Sequence, residues 1–373
     1  MSFIKGYSKN SSFESMHGKE KSKKLSDKEA EKRMLAERPK IQKYVRLSNK
    51  VLEGNKLRIY NQEYLDDVTE LLDWNPELYT VWNYRKRLII NYVFRDELNI
   101  DEEGKHAFLT KELGFVSHML KRFPKSYWIW NHRVWCLKLD KMSNWDVELG
   151  LVDKFLQVDA RNFHVWAYRR LIIQLMKNDE NVKLTNEEID LKEFSFTTKL
   201  INRDISNYSA WHNRTKLIEM LFNRAPAPSA VVENEKDLQV YLTIFNDKDK
   251  VAFLWKELEL VKKAVYTDPE DSSVWFYLKW LMSDYFFKDI TEKEELKRIF
   301  KKVIDDVKEL NELEFEDNNV DNKWCLISLV YLAKQSHYNV DVEVNRSEVE
   351  NYINKLKVVD PMRRETYENF TLN

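Results

Sequence analysis

Glycine is the scarce residue of this 373-residue chain: there are six, all at or before Gly150, and the 223 residues that follow contain none. Tight hairpins and phosphate-cradling loops draw on glycine for positive φ and for close backbone approach. Its scarcity removes the P-loop and the dinucleotide-binding fingerprint and argues against a sheet-rich fold. Cysteine is rarer still. Cys136 and Cys325 stand in no metal or redox spacing, which fits a reducing, intracellular setting. No apolar run approaches the ~18 residues of a membrane span, and the N-terminus lacks a signal-peptide core, so neither membrane insertion nor secretion is expected. An excess of one charge is missing too. Lys and Arg number 61 against 62 Asp and Glu, a net charge of −1, so the chain carries no basic field of the kind that binds nucleic acid.

What the sequence does hold is helical period. LDDVTELLDW, LGFVSHMLKRF, VELGLVDKFLQV, LKEFSFTTKLI and KELELVKKAVY place apolar residues three and four apart, with charge on the remaining positions. The chain reads as nearly all helix.

Aligning the tryptophans exposes a repeat: NPELYTVWNYR with Trp82, FPKSYWIWNHR with Trp130, DARNFHVWAYR with Trp166, RDISNYSAWHNR with Trp211 and DPEDSSVWFYL with Trp275. In the first four units an aromatic stands three before the Trp (Tyr79, Tyr127, Phe163, Tyr208) and an arginine three after (Arg85, Arg133, Arg169, Arg214). Proline stands six before in three units, as Pro76, Pro124 and Pro269. A weaker sixth unit carries Trp324, and Pro361 with Tyr367 keeps the spacing near the end. Each unit therefore predicts a helix, a short turn marked by Asp, Asn or Pro, and a second helix opening near the Trp, with Trp and Arg on one face. A hairpin of that kind cannot bury its apolar face alone, but stacked hairpins make a continuous core, so the expected fold is an all-α, curved superhelix of helical hairpins. The Trp-to-Trp intervals of 48, 36, 45, 64 and 49 residues are uneven, and the longest contains APAPSAVVENEKDLQ, expected as a loop insertion.

The tryptophans are expected in the core between repeats, since stacked hairpins need large apolar wedges. The arginines need carboxylate or carbonyl partners, and these lie either in the next repeat or on another protein. His132, His164 and His212 sit near the tryptophans at differing offsets, so a shared metal site is not expected. No nucleophile motif, metal-ligand cluster or glycine loop marks a self-contained active site.

These motifs resemble the α subunits of the protein prenyltransferases, whose hairpin repeats form a crescent around a catalytic β subunit. The similarity runs from about residue 16 to the C-terminus as a single helical-repeat domain, residues 16–373, leaving residues 1–15 as an expected disordered extension. RNFHVWAYRR, ISNYSAWHNR, KELELVKKAVYTDPEDSSVWFY, NKWCL and VVDPMR resemble the Rab-directed, type II branch in its compact fungal form. That resemblance implies a cytoplasmic heterodimer that moves geranylgeranyl from geranylgeranyl diphosphate to C-terminal cysteines of Rab GTPases presented by the Rab escort protein. It also implies zinc, held by the β subunit and not by this chain. By motif position the chain's own contribution falls on Lys125, on the diphosphate side, with Tyr127 beside it.

In the farnesyl and type I enzymes a Gln that holds a CaaX carboxylate follows the aromatic of this unit. Here that place is Trp128, which counts against the shared farnesyl/type I α subunit as an alternative. A non-catalytic helical-repeat scaffold is the other alternative. Relatives of the Rab-directed branch begin Met-His-Gly, as Met16-His17-Gly18 does here, so the resemblance implies Met16 as the working start. It also implies His17 as a self-inhibitory ligand to the β-subunit zinc.

Overall fold

The computed structural model describes residues 27–95, 99–224, 236–287, 290–340, 342 and 345–369; His17 and the 1–15 extension lie outside them. Among the described residues the secondary structure is helix and turn, with no strand. The chain divides into two compact units, Met1–Phe155 with His164–Ile172, and Leu156–Phe163 with Ile173–Asn373.

The first unit opens with the long helix α1 (Asp27–Leu57), which packs on α2 (Gln62–Trp74). Contact is close at Gly54, where any Cβ would stand 2.0 Å from the Tyr64 ring. α2 pairs with α3 (Tyr79–Leu88), which ends in a π-helical turn at Ile89–Val93. α4 (Glu102–Arg122) pairs with α5 (Tyr127–Leu139), and α6 (Trp145–Val158) is followed by α7 (Phe163–Lys177). Asn and Asp sit where their short side chains can bond the free N–H groups of a helix start. Asn61 accepts from Tyr64 N–H, and Asp101 accepts from Gly104 N–H.

In the second unit α8 (Asn186–Arg203) pairs with α9 (Tyr208–Asn223), and α8 starts in a capping box made by Thr185 and Glu188. α10 (Lys236–Asn246) leads to the hairpin of α11 (Lys250–Thr267) and α12 (Ser272–Leu281). The short α13 (Asp284–Phe287) follows, then α14 (Lys293–Asn318) paired with α15 (Lys323–Val340). α16 (Arg346–Val359) and α17 (Arg364–Glu368) close the chain. Of the stretch expected as a loop insertion, residues 225–235 lie outside the described residues. From residue 236 it is helical, because Leu238, Tyr241, Ile244 and Phe245 recur at helical spacing and are buried, with Tyr241 and Phe245 edge-on to Phe194.

The repeat has a physical grammar. Trp82, Trp130, Trp166, Trp211 and Trp275 are all at most 5% exposed. An indole N–H needs an acceptor when buried, and the carbonyl six residues earlier supplies it: Pro76 for Trp82, Pro124 for Trp130, Ile205 for Trp211 and Pro269 for Trp275, at 2.7–2.9 Å. Ile205 shows that the carbonyl, not the proline ring, is what the Trp requires. Three of them also pack against the ring two past the Trp of the next unit. Trp82 meets His132 at 4.7 Å, Trp130 meets Tyr168 at 4.7 Å, and Trp211 meets Tyr277 at 4.6 Å between ring centroids. Trp324 is half-buried and lies edge-on to Phe276.

Candidate functional site

The arginines are buried and bound within the chain. Arg85 grips Glu112 with two bonds of 2.6 Å, Arg133 grips Glu148 at 2.6 and 2.8 Å, and Arg214 grips Glu257 at 2.6 and 2.9 Å. Each glutamate stands on a later first helix, so the fork joins one hairpin to another. The remaining guanidinium nitrogen turns to the arginine's own hairpin, to an oxygen 16 residues earlier: Thr69, Ser117, Asp153 for Arg169, and Thr198. His132 shares Glu112, Tyr168 donates to Glu148, and Tyr241 and Tyr277 donate to Glu257. Burial alone would raise the Glu112 and Glu257 pKa values, but the paired guanidinium more than offsets it; both are lowered, Glu112 to about 2. In the fifth unit Leu278 fills the arginine's place and is buried.

Neither these glutamates nor the hydroxyl groups bonded to them stand out in the sequence, whereas His132 does, as a residue near a tryptophan. Two signals were available: the oxygen-bearing residue 16 before each arginine, and the position two after each Trp, occupied by Tyr84, His132, Tyr168, Asn213 and Tyr277.

Solvent reaches the other end of the motif. The first residues of α3 and α5, Tyr79 and Tyr127, are 56% and 58% exposed, and Phe163 and Tyr208 begin α7 and α9 in the same half-exposed state. In the first unit these starts form a cluster. Arg122 at the end of α4 bonds Asp73 at the end of α2, which brings the two turns level, and Tyr79 packs against Trp128 at 5.2 Å. Lys125 sits in the turn between α4 and α5, half-buried, followed by the buried Ser126, whose Oγ makes no hydrogen bond among the described residues. Tyr127 stands edge-on to His164, with ring centroids 4.3 Å apart. Burial and the positive charge of Lys125 lower the His164 pKa against the opposing pull of Glu77, so the imidazole is neutral at pH 7. The cluster therefore combines a cation, a phenol and the N-terminus of a 13-residue helix. Those groups suit an oxyanion such as a diphosphate.

Among the described residues neither cysteine is available as a nucleophile. Cys136 and Cys325 are buried, and burial raises both thiol pKa values, keeping them protonated. Among the described residues one group with metal-binding atoms converges, Glu112, His132 and Cys136. It does not fit zinc. Arg85 already occupies both oxygens of Glu112, and a guanidinium in contact with the carboxylate opposes a dication there.

Stacked hairpins tied together by buried Trp, Arg and Glu side chains define a helical-repeat protein. The protein prenyltransferase alpha subunit repeat matches residues 61–92, 109–140, 145–176, 190–221 and 254–285, each beginning on or near the first helix of a hairpin and reaching into its second. The geranylgeranyl transferase type-2 subunit alpha of Candida albicans is 36% identical over 359 residues, covering 92% of this chain and 94% of that one. The protein of the same description from Saccharomyces cerevisiae is 35% identical over 94% of this chain and 98% of its own length. That from Rattus norvegicus is 34% identical over 72% of this chain but only 42% of its own length. A solved structure titled Candida albicans protein geranylgeranyltransferase-I complexed with GGPP shares the fold, with TM-score 0.58 and 20% identity over 94% of this chain and 93% of that one. The chain belongs to the protein prenyltransferase α subunit family.

Proposed function

We propose that this chain is the α subunit of a type-2 geranylgeranyl transferase. With a β subunit, it transfers geranylgeranyl from geranylgeranyl diphosphate to the C-terminal cysteines of Rab GTPases presented by the Rab escort protein in the cytoplasm. The near-full-length identity to type-2 α subunits supports the assignment. The observation that supports the chemistry is the turn that sets the Lys125 cation and the exposed Tyr127 phenol at the N-terminus of α5. Zinc held by the β subunit would lower the pKa of the acceptor thiol. As the thiolate sulfur bonds to the geranylgeranyl carbon, the carbon–oxygen bond to diphosphate breaks, and negative charge grows on the leaving group. Lys125 and the α5 N-terminus meet that charge, and Tyr127 donates to it. His17, ahead of the described residues, is the chain's own candidate ligand to that zinc before the acceptor binds.

Trp128 speaks for the Rab-directed reaction over the CaaX-directed one. Half-buried and packed on Tyr79, it presents an indole where a carboxylate-binding amide would be needed. The expected result is efficient geranylgeranylation of a Rab–escort complex by the heterodimer and poor modification of short CaaX peptides. Farnesylation of a short CaaX peptide as efficient as geranylgeranylation of the Rab–escort complex would assign the chain to the farnesyl/type I enzymes instead.

A further inference from the structure

A lysine side chain is long and freely jointed, so where the Lys125 ammonium stands depends on the backbone turn beneath it. That turn is tight. Ser126 N–H bonds the Phe123 carbonyl at 3.2 Å, and the Trp130 indole holds the Pro124 carbonyl at 2.9 Å. Outside it stands a brace on each side. Trp128 packs on Tyr79, and Arg122 reaches across to the end of α2, with Nη1 on the Asp73 carboxylate at 2.5 Å and Nη2 on the Asp73 carbonyl at 3.3 Å. The guanidinium also lies over the Phe123 ring, 5.1 Å from its centroid, which ties it to the first residue of the turn.

Half of the arginine brace belongs to the repeat. In the second compact unit Arg203, eight residues before Trp211 as Arg122 is eight before Trp130, donates to the carbonyl of Gln157 at 3.3 Å. Gln157 stands nine before Trp166, as Asp73 stands nine before Trp82. A carbonyl in the last turn of a helix has no partner inside that helix, and the arginine supplies one. The carboxylate is the addition. An aspartate in the last turn opposes the helix dipole, so Asp73 weakens α2 on its own. Nor does an ion pair whose side chains are 42 and 44% exposed add much to stability. What it adds is direction: a charge-assisted bond from a second helix that fixes the guanidinium three residues ahead of Lys125.

We propose that Asp73 and Arg122 are positioning residues for prenyl transfer, tying the Lys125 turn to α2 so that the ammonium meets the leaving diphosphate. This rests on the functional reading above, which puts the diphosphate at Lys125. The pair acts through Lys125 and not on substrate. Arg122→Ala and Asp73→Asn are each expected to slow single-turnover transfer by the assembled heterodimer roughly tenfold, with the loss in the rate and not in KM, and with melting temperature and β-subunit affinity near wild type. Arg122→Lys keeps the charge without the two-pronged grip and should recover part of the rate. In a Lys125→Ala heterodimer, Arg122→Ala should cost nothing further, because the group it positions is gone. An unchanged rate in Arg122→Ala, or the same fold loss in the Lys125→Ala background, would overturn the positioning role. So would a raised KM for geranylgeranyl diphosphate at unchanged rate, which would make Arg122 a substrate contact. An unchanged rate in Lys125→Ala itself would overturn the functional reading and the positioning role with it.

Discussion

Lys125→Ala is expected to slow prenyl transfer by the assembled heterodimer about 10²-fold, the scale on which one preorganised charge at a developing oxyanion acts. The effect should fall on the single-turnover rate. Lys125 lies in a turn, outside the Trp–Arg–Glu network, so melting temperature and β-subunit affinity should match the wild type. Lys125→Arg keeps the charge and should recover part of the rate. An alanine variant with an unchanged transfer rate would return Lys125 to the role of a turn residue.

The opposite signature is expected at Glu257. Its carboxylate is fully buried and accepts from the equally buried Arg214, from Tyr241 and from Tyr277. Glu257→Ala leaves a guanidinium and two phenol hydroxyls without their acceptor. Breaking a buried pair from one side costs about 3–5 kcal/mol. The Glu257→Gln variant keeps the shape and one acceptor oxygen while losing the charge, and should fall between. Chemical denaturation measures the loss, and a cost below about 1 kcal/mol would show that the network is not what ties α9 to α11.

Much of the fold was legible because the hairpin writes its largest side chain at a fixed place. Trp, the aromatic three before it and the arginine three after share one helix, and spacing within a helix does not change. The oxygen that meets each arginine from its own hairpin is also at a constant 16 residues. The glutamates were not legible by spacing: they follow their arginines by 27, 15 and 43 residues, because insertions between hairpins change the count without changing the contact. One such insertion hid α10. The prolines of APAPS signal a loop, and the apolar period of LQVYLTIF that follows is short beside them. At the candidate site, Lys125 and Tyr127 were reached through family resemblance; alone, Lys125 is one turn lysine among many. Glu77, Tyr127 and His164 come from three separate helix starts, so their meeting depends on stacking that no local pattern encodes.

That this chain is half of an enzyme is tested most directly by reconstitution. Geranylgeranyl transfer to a Rab–escort complex should be absent for the purified chain supplied with zinc and geranylgeranyl diphosphate, and should appear on addition of a type-2 β subunit. Zinc-dependent transfer by the chain alone, or no transfer with the β subunit present, would contradict the account.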